Sequence, residues 1–148
     1  MTQLSLHSPV GDITISEADG RIVALDWGWG RDQSATPLLE AAREQLNAYF
    51  DGRLDKFDLP VDPSGSRFQR DVWQQMCEIP SGATKTYGDI ANALNNTARA
   101  VGQACGANPI PIIIPCHRVL AASGLGGYSG SGGIETKVAF LQLEGALL

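Results

Sequence analysis

The 148-residue sequence predicts an α+β protein in two parts: a small β-sheet-and-helix unit over residues 1–60, then a mostly helical unit over residues 61–148 containing a helix-turn-helix. Three observations carry this. Apolar and polar residues alternate through residues 11–29, and an apolar stripe at helical spacing follows over 37–50. Beyond a seam rich in proline, glycine and serine, almost all the remaining periodicity is helical.

"GDITISEADGRIVALDWGW", residues 11–29, alternates around Ala18-Asp19-Gly20, which predicts a β-hairpin with one covered face. Thr36 caps the next helix and Pro37 starts it; Leu38, Leu39, Ala42, Leu46, Tyr49 and Phe50 form its apolar stripe, and Gly52 stops it. The seam, "DLPVDPSGS" at 58–66, predicts a linker. In "SRFQRDVWQQMCEIPSG", residues 66–82, Phe68, Val72, Trp73, Met76 and Cys77 share a helical face that ends before Pro80 and Gly82. Two short helices are predicted over 87–94 and 98–106, joined by Asn95-Asn96-Thr97, with Thr97 as the second cap and Gly106 and Pro109 as the stop. That is the length pattern of a helix-turn-helix. Spacing alone favours the blander alternative of a helical hairpin that only packs. The glycine-rich stretch 123–133 predicts a loop that is mobile or wraps something closely. A last helix near 134–143 is expected to bury Ile134, Val138 and Leu141 and to deliver Glu144 at its end.

Hydrophobic residues make up 43% and charged residues 18%, the balance of a soluble globular chain. No apolar run reaches the roughly 20 residues of a membrane span, and the N-terminal stretch lacks the pattern of a secretory signal. Three cysteines, an odd number, predict a reduced cytoplasmic protein rather than a disulfide framework. Net charge is −5, but unevenly spread: residues 1–63 hold five Lys/Arg against eleven Asp/Glu, and residues 64–148 hold six against five. Between Asp89 and Glu135 the only formal charges are Arg99 and Arg118. A polyanion can therefore approach the second half more easily than the first.

"PIIIPCHRVLAASG", residues 111–124, sets a thiol, an imidazole and a guanidinium beside an isoleucine run expected to be a buried strand. Cys77 and Cys105 lie among apolar and small residues and fit small buried hydrophobes. Cys116 differs: Pro115 pins its backbone at a strand end or tight turn, and His117 and Arg118 offer positive charge that favours thiolate. It is a candidate nucleophile with no electrophile identified. Zinc is not expected, because Cys77, Cys105, Cys116, His7 and His117 show no ligand-pair spacing.

The stretch "RAVGQACGANPIPIIIPCHRV" at 99–119, with "GGYSG" at 126–130 and "LEG" at 143–145, closely resembles the O6-alkylguanine-DNA alkyltransferases, over about residues 66–145. Pro115-Cys116-His117-Arg118 with Asn108-Pro109 seven residues ahead of Pro115 is the specific part. The resemblance implies a ribonuclease-H-like first part and irreversible, single-turnover transfer of an alkyl group from O6 of guanine, extending to O4 of thymine, onto Cys116. No cofactor is implied, and the partner is duplex DNA carrying the lesion, met by a monomer. His117 would serve as base through a water, with Glu144 orienting and charging it. Tyr87 would donate a hydrogen bond to the leaving guanine, and Asn108 would tie the helix turn to the Cys116 segment. Because a lesion inside a duplex is out of reach, the nucleotide must be everted. Arg99 would fill the vacated stack, while Thr97, Ala98, Ala100 and Gly102, with Ala104, Gly106 and Ala107, let the helix lie close in the minor groove. Tyr128, Ser129, Val119 and Pro111 would form the base pocket. Two alternatives stay open: a non-catalytic sensor of alkylated DNA, which Cys116 at the motif position disfavours, and a cysteine hydrolase or redox protein with no DNA role.

Overall fold

A computed structural model describes residues 1–148. The first half is an antiparallel three-stranded sheet in the order β1 (Thr2–Leu6), β2 (Ile13–Ala18), β3 (Arg21–Trp27), covered by α1 (Pro37–Phe50). The hairpin is as expected, turning through Asp19 and Gly20 at positive φ. β1, which the period-two signal did not reveal, pairs with β2 from Thr2↔Glu17 to Leu6↔Ile13. Leu4 and Leu6 of β1, Ile13 and Ile15 of β2 and Leu25 of β3 are buried together with Leu39, Ala42, Leu46 and Tyr49 of α1. Thr36 caps α1 by accepting from the Leu39 amide, while Pro37 fills a position whose amide would lack a partner anyway.

The seam residues are pinned to the sheet. The Ile22 amide donates to the Pro60 carbonyl and the Asp62 amide to the Ile22 carbonyl, each at 2.8 Å. β3 also reaches the second half, where the Leu25 amide donates to the Pro109 carbonyl at 2.9 Å. Apolar residues of both halves form one continuous buried cluster.

The second half holds α2 (Arg67–Cys77), α3 (Tyr87–Leu94), α4 (Ala98–Gly106) and α5 (Ile134–Leu143). Each of the first three begins at a side-chain cap. Ser66 with Gln69, and Thr86 with Asp89, form reciprocal capping boxes, and Thr97 accepts from the Ala100 amide. Asn95 ends α3 in the left-handed conformation (φ 54°), a geometry Asn tolerates better than most residues, and so sets the turn into α4. The helix pair has the bounds its spacing predicted. Two two-residue strands, β4 (Lys85–Thr86) and β5 (Val119–Leu120), pair in parallel and bring the start of α3 beside the Cys116 segment.

Three expectations are corrected. The isoleucine run is not a strand: it is a pair of tight turns in which the Ile114 amide donates to the Ile110 carbonyl and Ile112 takes φ 73°. The buried apolar run satisfies its backbone by local turns rather than by a sheet partner. Cys77 is exposed, one position beyond the buried face of α2 set by Val72, Trp73 and Met76. α5 buries Thr136, Lys137, Phe140 and Leu141, leaving Ile134 46% exposed and Val138 half-buried. The face is rotated because Lys137 finds two carbonyls inside, as described below.

Trp73, 2% exposed, locks α2 against α4 by donating from Nε1 to the Ala104 carbonyl at 2.8 Å. Trp73→Phe keeps most of the apolar volume but leaves that carbonyl unpaired. Urea unfolding should show a loss of about 2 kcal/mol; an unchanged midpoint would mean that the tie contributes nothing.

Candidate active site

Pro115 ends the isoleucine turns, and Cys116–Arg118 forms a single turn of 3-10 helix, which parts Cys116 from the other two motif side chains. Cys116 lines a cavity of about 400 Å³ together with Tyr87, Gly102, Cys105, Gly106, Gly127, Tyr128 and Ser129. One wall is thus α4, where Gly102 and Gly106 present only backbone; another is the start of α3; the third is the glycine-rich loop. At Gly126 (φ 73°) that loop runs so close to Tyr87 that a Cβ would stand 2.9 Å from its hydroxyl, so only glycine fits.

His117 and Arg118 turn away from the cavity to meet Glu144, the C-cap of α5, whose side chain is 1% exposed. Glu144 Oε2 accepts from Tyr49 Oη at 2.6 Å and from Arg118 Nη2 at 2.9 Å, and lies 2.6 Å from His117 Nε2. Arg118 Nε donates to Oε1 at 2.9 Å, and its Nη1 donates to the Ile79 carbonyl at 2.7 Å. Although burial opposes the charge, hydrogen bonds from His117, Arg118 and Tyr49 hold the Glu144 carboxyl down at about 2. An ionised carboxylate only accepts, so His117 Nε2 carries the proton and Nδ1 keeps its lone pair. Nδ1 is buried and unpartnered within the protein.

Two electrostatic expectations are revised. Burial holds the imidazole below its ordinary 6.5, outweighing the pull of Glu144, so His117 is neutral and Glu144 orients it without charging it. Burial likewise pushes the Cys116 thiol up from 9.0, so the sulfur rests as a thiol. Arg118, spent on Glu144, is not its activating cation. The opposing pull comes from the Asn108 side chain and from Lys137. Lys137 is fully buried, donating from Nζ to the carbonyls of Val119 (2.6 Å) and Gly127 (3.0 Å) and standing 5.9 Å from the centre of the Tyr87 ring.

The remaining predicted residues fall as follows. Asn108 donates from Nδ2 to the Ile114 carbonyl at 2.9 Å and accepts from the Ile110 amide, bracing the turns that lead to Cys116. Thr97, Ala98 and Arg99 are exposed at the start of α4, with Ala100 half-buried behind them and Gly106 and Ala107 exposed at its end. Ala104 is buried under Trp73 and is not on that outer face. Val119 and Pro111 do not line the cavity. Val119 is buried and paired with Lys85, and Pro111 is buried in the isoleucine turns. Lys137, Tyr49 and Phe140, whose ring centre is 5.1 Å from that of His117, were not legible as site residues. Tyr49 carried only its place on the α1 stripe, and a helical lysine normally signals solvent.

Residues 2–63 match the family model of the 6-O-methylguanine DNA methyltransferase ribonuclease-like domain, and residues 67–146 that of the DNA binding domain of the same enzymes. A methylated-DNA–protein-cysteine methyltransferase of Methanosarcina barkeri is 42% identical over 94% of each chain. A constitutive one of Bacillus subtilis is 40% identical over 93% of this chain and 92% of its own. Among solved structures, Mycobacterium tuberculosis OGT in complex with DNA superposes with a TM-score of 0.87 at 41% identity, covering 99% of this chain and 94% of that one. An O6-methylguanine DNA methyltransferase of Methanococcus jannaschii gives 0.70 at 29% identity, covering 98% and 95%. On a thiol-lined cavity beside a helix-turn-helix, and on similarity across both halves, this chain belongs to the 6-O-methylguanine DNA methyltransferase family.

Proposed function

We propose that this protein repairs alkylated duplex DNA by direct reversal, in the cytoplasm, taking the alkyl group from O6 of guanine, and from O4 of thymine, onto Cys116. The observation that carries this is Cys116 in the wall of a cavity shared with α4, Tyr87 and the glycine-rich loop, next in sequence to a neutral His117 held by the ionised Glu144. His117 Nδ1 accepts the thiol proton, directly or through a water. Sγ then attacks the alkyl carbon; the S–C bond forms as the C–O6 bond breaks, and the electron pair leaves on the base. Tyr87, whose hydroxyl burial keeps protonated, donates to the departing guanine. The base ends neutral by gaining a proton from solvent, and the imidazolium returns its own. The thioether is not hydrolysed, so each molecule acts once and needs no further alkyl donor. Three free cysteines suit a reducing compartment.

Arg99 on the exposed start of α4 serves as the wedge that replaces the everted base, and the backbone-only face at Gly102 and Gly106 lets α4 approach the groove. Ser129 and Tyr128 close over the base from the loop. A net charge of −5 predicts modest affinity that falls with salt.

Incubation with duplex DNA containing O6-methylguanine should add one methyl group to the tryptic peptide bearing Cys116, and Cys116→Ala should bind the DNA without gaining it. Binding with no mass change in the wild type would make the protein a sensor, and neither binding nor transfer would leave a thiol enzyme unrelated to DNA. Arg99→Ala should slow transfer from the duplex about ten-fold or more, the scale of lost help with eversion, while sparing reaction with free O6-benzylguanine; equal slowing would remove the wedge. With that free base, the rate should stay level as pH falls from about 9 to 6.5, because the thiol titrates above this window and the imidazole below it. It should drop only below 6.5. A rise with pH tracking a midpoint below 8 would contradict a resting thiol.

A further inference from the structure

The buried side-chain polar atoms without a partner in the protein are three: His117 Nδ1, Tyr128 Oη and Trp27 Nε1. All belong to one aromatic chain that crosses from the first half into the site. Trp27, at the end of β3, meets Tyr128 edge-on (ring centres 6.3 Å apart, interplanar angle 86°). Tyr128 meets Phe140 edge-on at 6.1 Å, and Phe140 packs on His117 at 5.1 Å. The loop crosses this chain at Gly130, where a Cβ would collide with the Tyr128 ring and stand 2.8 Å from Trp27 Cη2. On its other side the loop is held by Lys137 at the Gly127 carbonyl. Tyr128 is therefore fixed between a side chain of the sheet unit and one of α5, with its ring in the cavity wall.

From this we infer that Trp27 is a positioning residue for alkyl transfer: the first half takes part in the site by setting the place of Tyr128 and the loop over the cavity. Trp27 does not itself line the cavity. It acts through Tyr128, and its position is fixed by pairing with Ile13 in the β2–β3 register. This rests on the alkyl-transfer reading for its kinetic consequence, but not for its structural one.

The test uses Trp27→Ala and Trp27→Phe in the full chain, with duplex O6-methylguanine DNA and free O6-benzylguanine as probes. Trp27→Ala should lower the saturating transfer rate from both probes about ten-fold, as a misplaced wall of the site does, with DNA affinity unchanged. Trp27→Phe, which keeps an edge-to-face ring, should recover most of that rate. Amide exchange over 123–133 should rise in Trp27→Ala while the α3–α4 pair stays as protected as in the wild type. A fall in thermal stability accompanied by wild-type saturating rates and loop exchange would reduce Trp27 to a packing residue and overturn the inference. If the wild type transfers no alkyl group, the proposed function fails; loop exchange then still decides whether Trp27 holds the loop.

Discussion

The buried carboxylate of Glu144 is the constraint on which the site depends. Its two oxygens gather a phenol from α1, an imidazole and a guanidinium from the Cys116 turn, and so join elements 95 and 27 residues apart in sequence. The desolvation of such a charge is large, and removing one partner of a buried ion pair costs about 3–5 kcal/mol. Here the cost is met by four hydrogen bonds, all charge-assisted because the acceptor is ionised, with Arg118 donating one to each oxygen. The same arrangement settles which imidazole nitrogen can act as a base. Structure and chemistry share one interaction, so neither half of the chain is dispensable to the site: Tyr49 comes from the first and the rest from the second.

Burial sets the reactivity of the sulfur. Cys116 is 6% exposed and rests protonated, the opposite of a thiolate pre-formed by neighbouring cations. For a reagent consumed by one displacement this is useful, because a resting thiol is a poor target for oxidants and stray electrophiles. Reaction then awaits a base that fits the cavity and a neutral imidazole able to accept the proton. Asn108 and Lys137 lean toward the thiolate without overcoming desolvation.

Much of this was legible in the sequence. Capping residues and turn chemistry located α1, α3 and α4 almost to the residue, because Thr36, Thr97 and Asn95 act locally. The motif at 115–118 singled out Cys116 and His117, and the placement of Glu144 at the end of α5 followed from helix length. What failed was long-range. Isoleucines at 112–114 favour strands, yet here they are buried and fold as turns. Lys137 was not singled out, since no local signal says that the Val119 and Gly127 carbonyls await it. Arg118 looked like an activator because proximity in sequence hides direction; a single 3-10 turn sends it to Glu144 instead. Val119 and Pro111, placed in the pocket by resemblance, are buried outside its lining.

An ionised Glu144 fixes His117 as a neutral imidazole with its lone pair on Nδ1. Long-range ¹H–¹⁵N correlation of the histidine side chains reads this directly across pH. The His117 signal should show Nε2 protonated and Nδ1 bare at neutral pH, titrating below 6.5. An Nδ1-protonated ring, or an imidazolium persisting above pH 7, would contradict it.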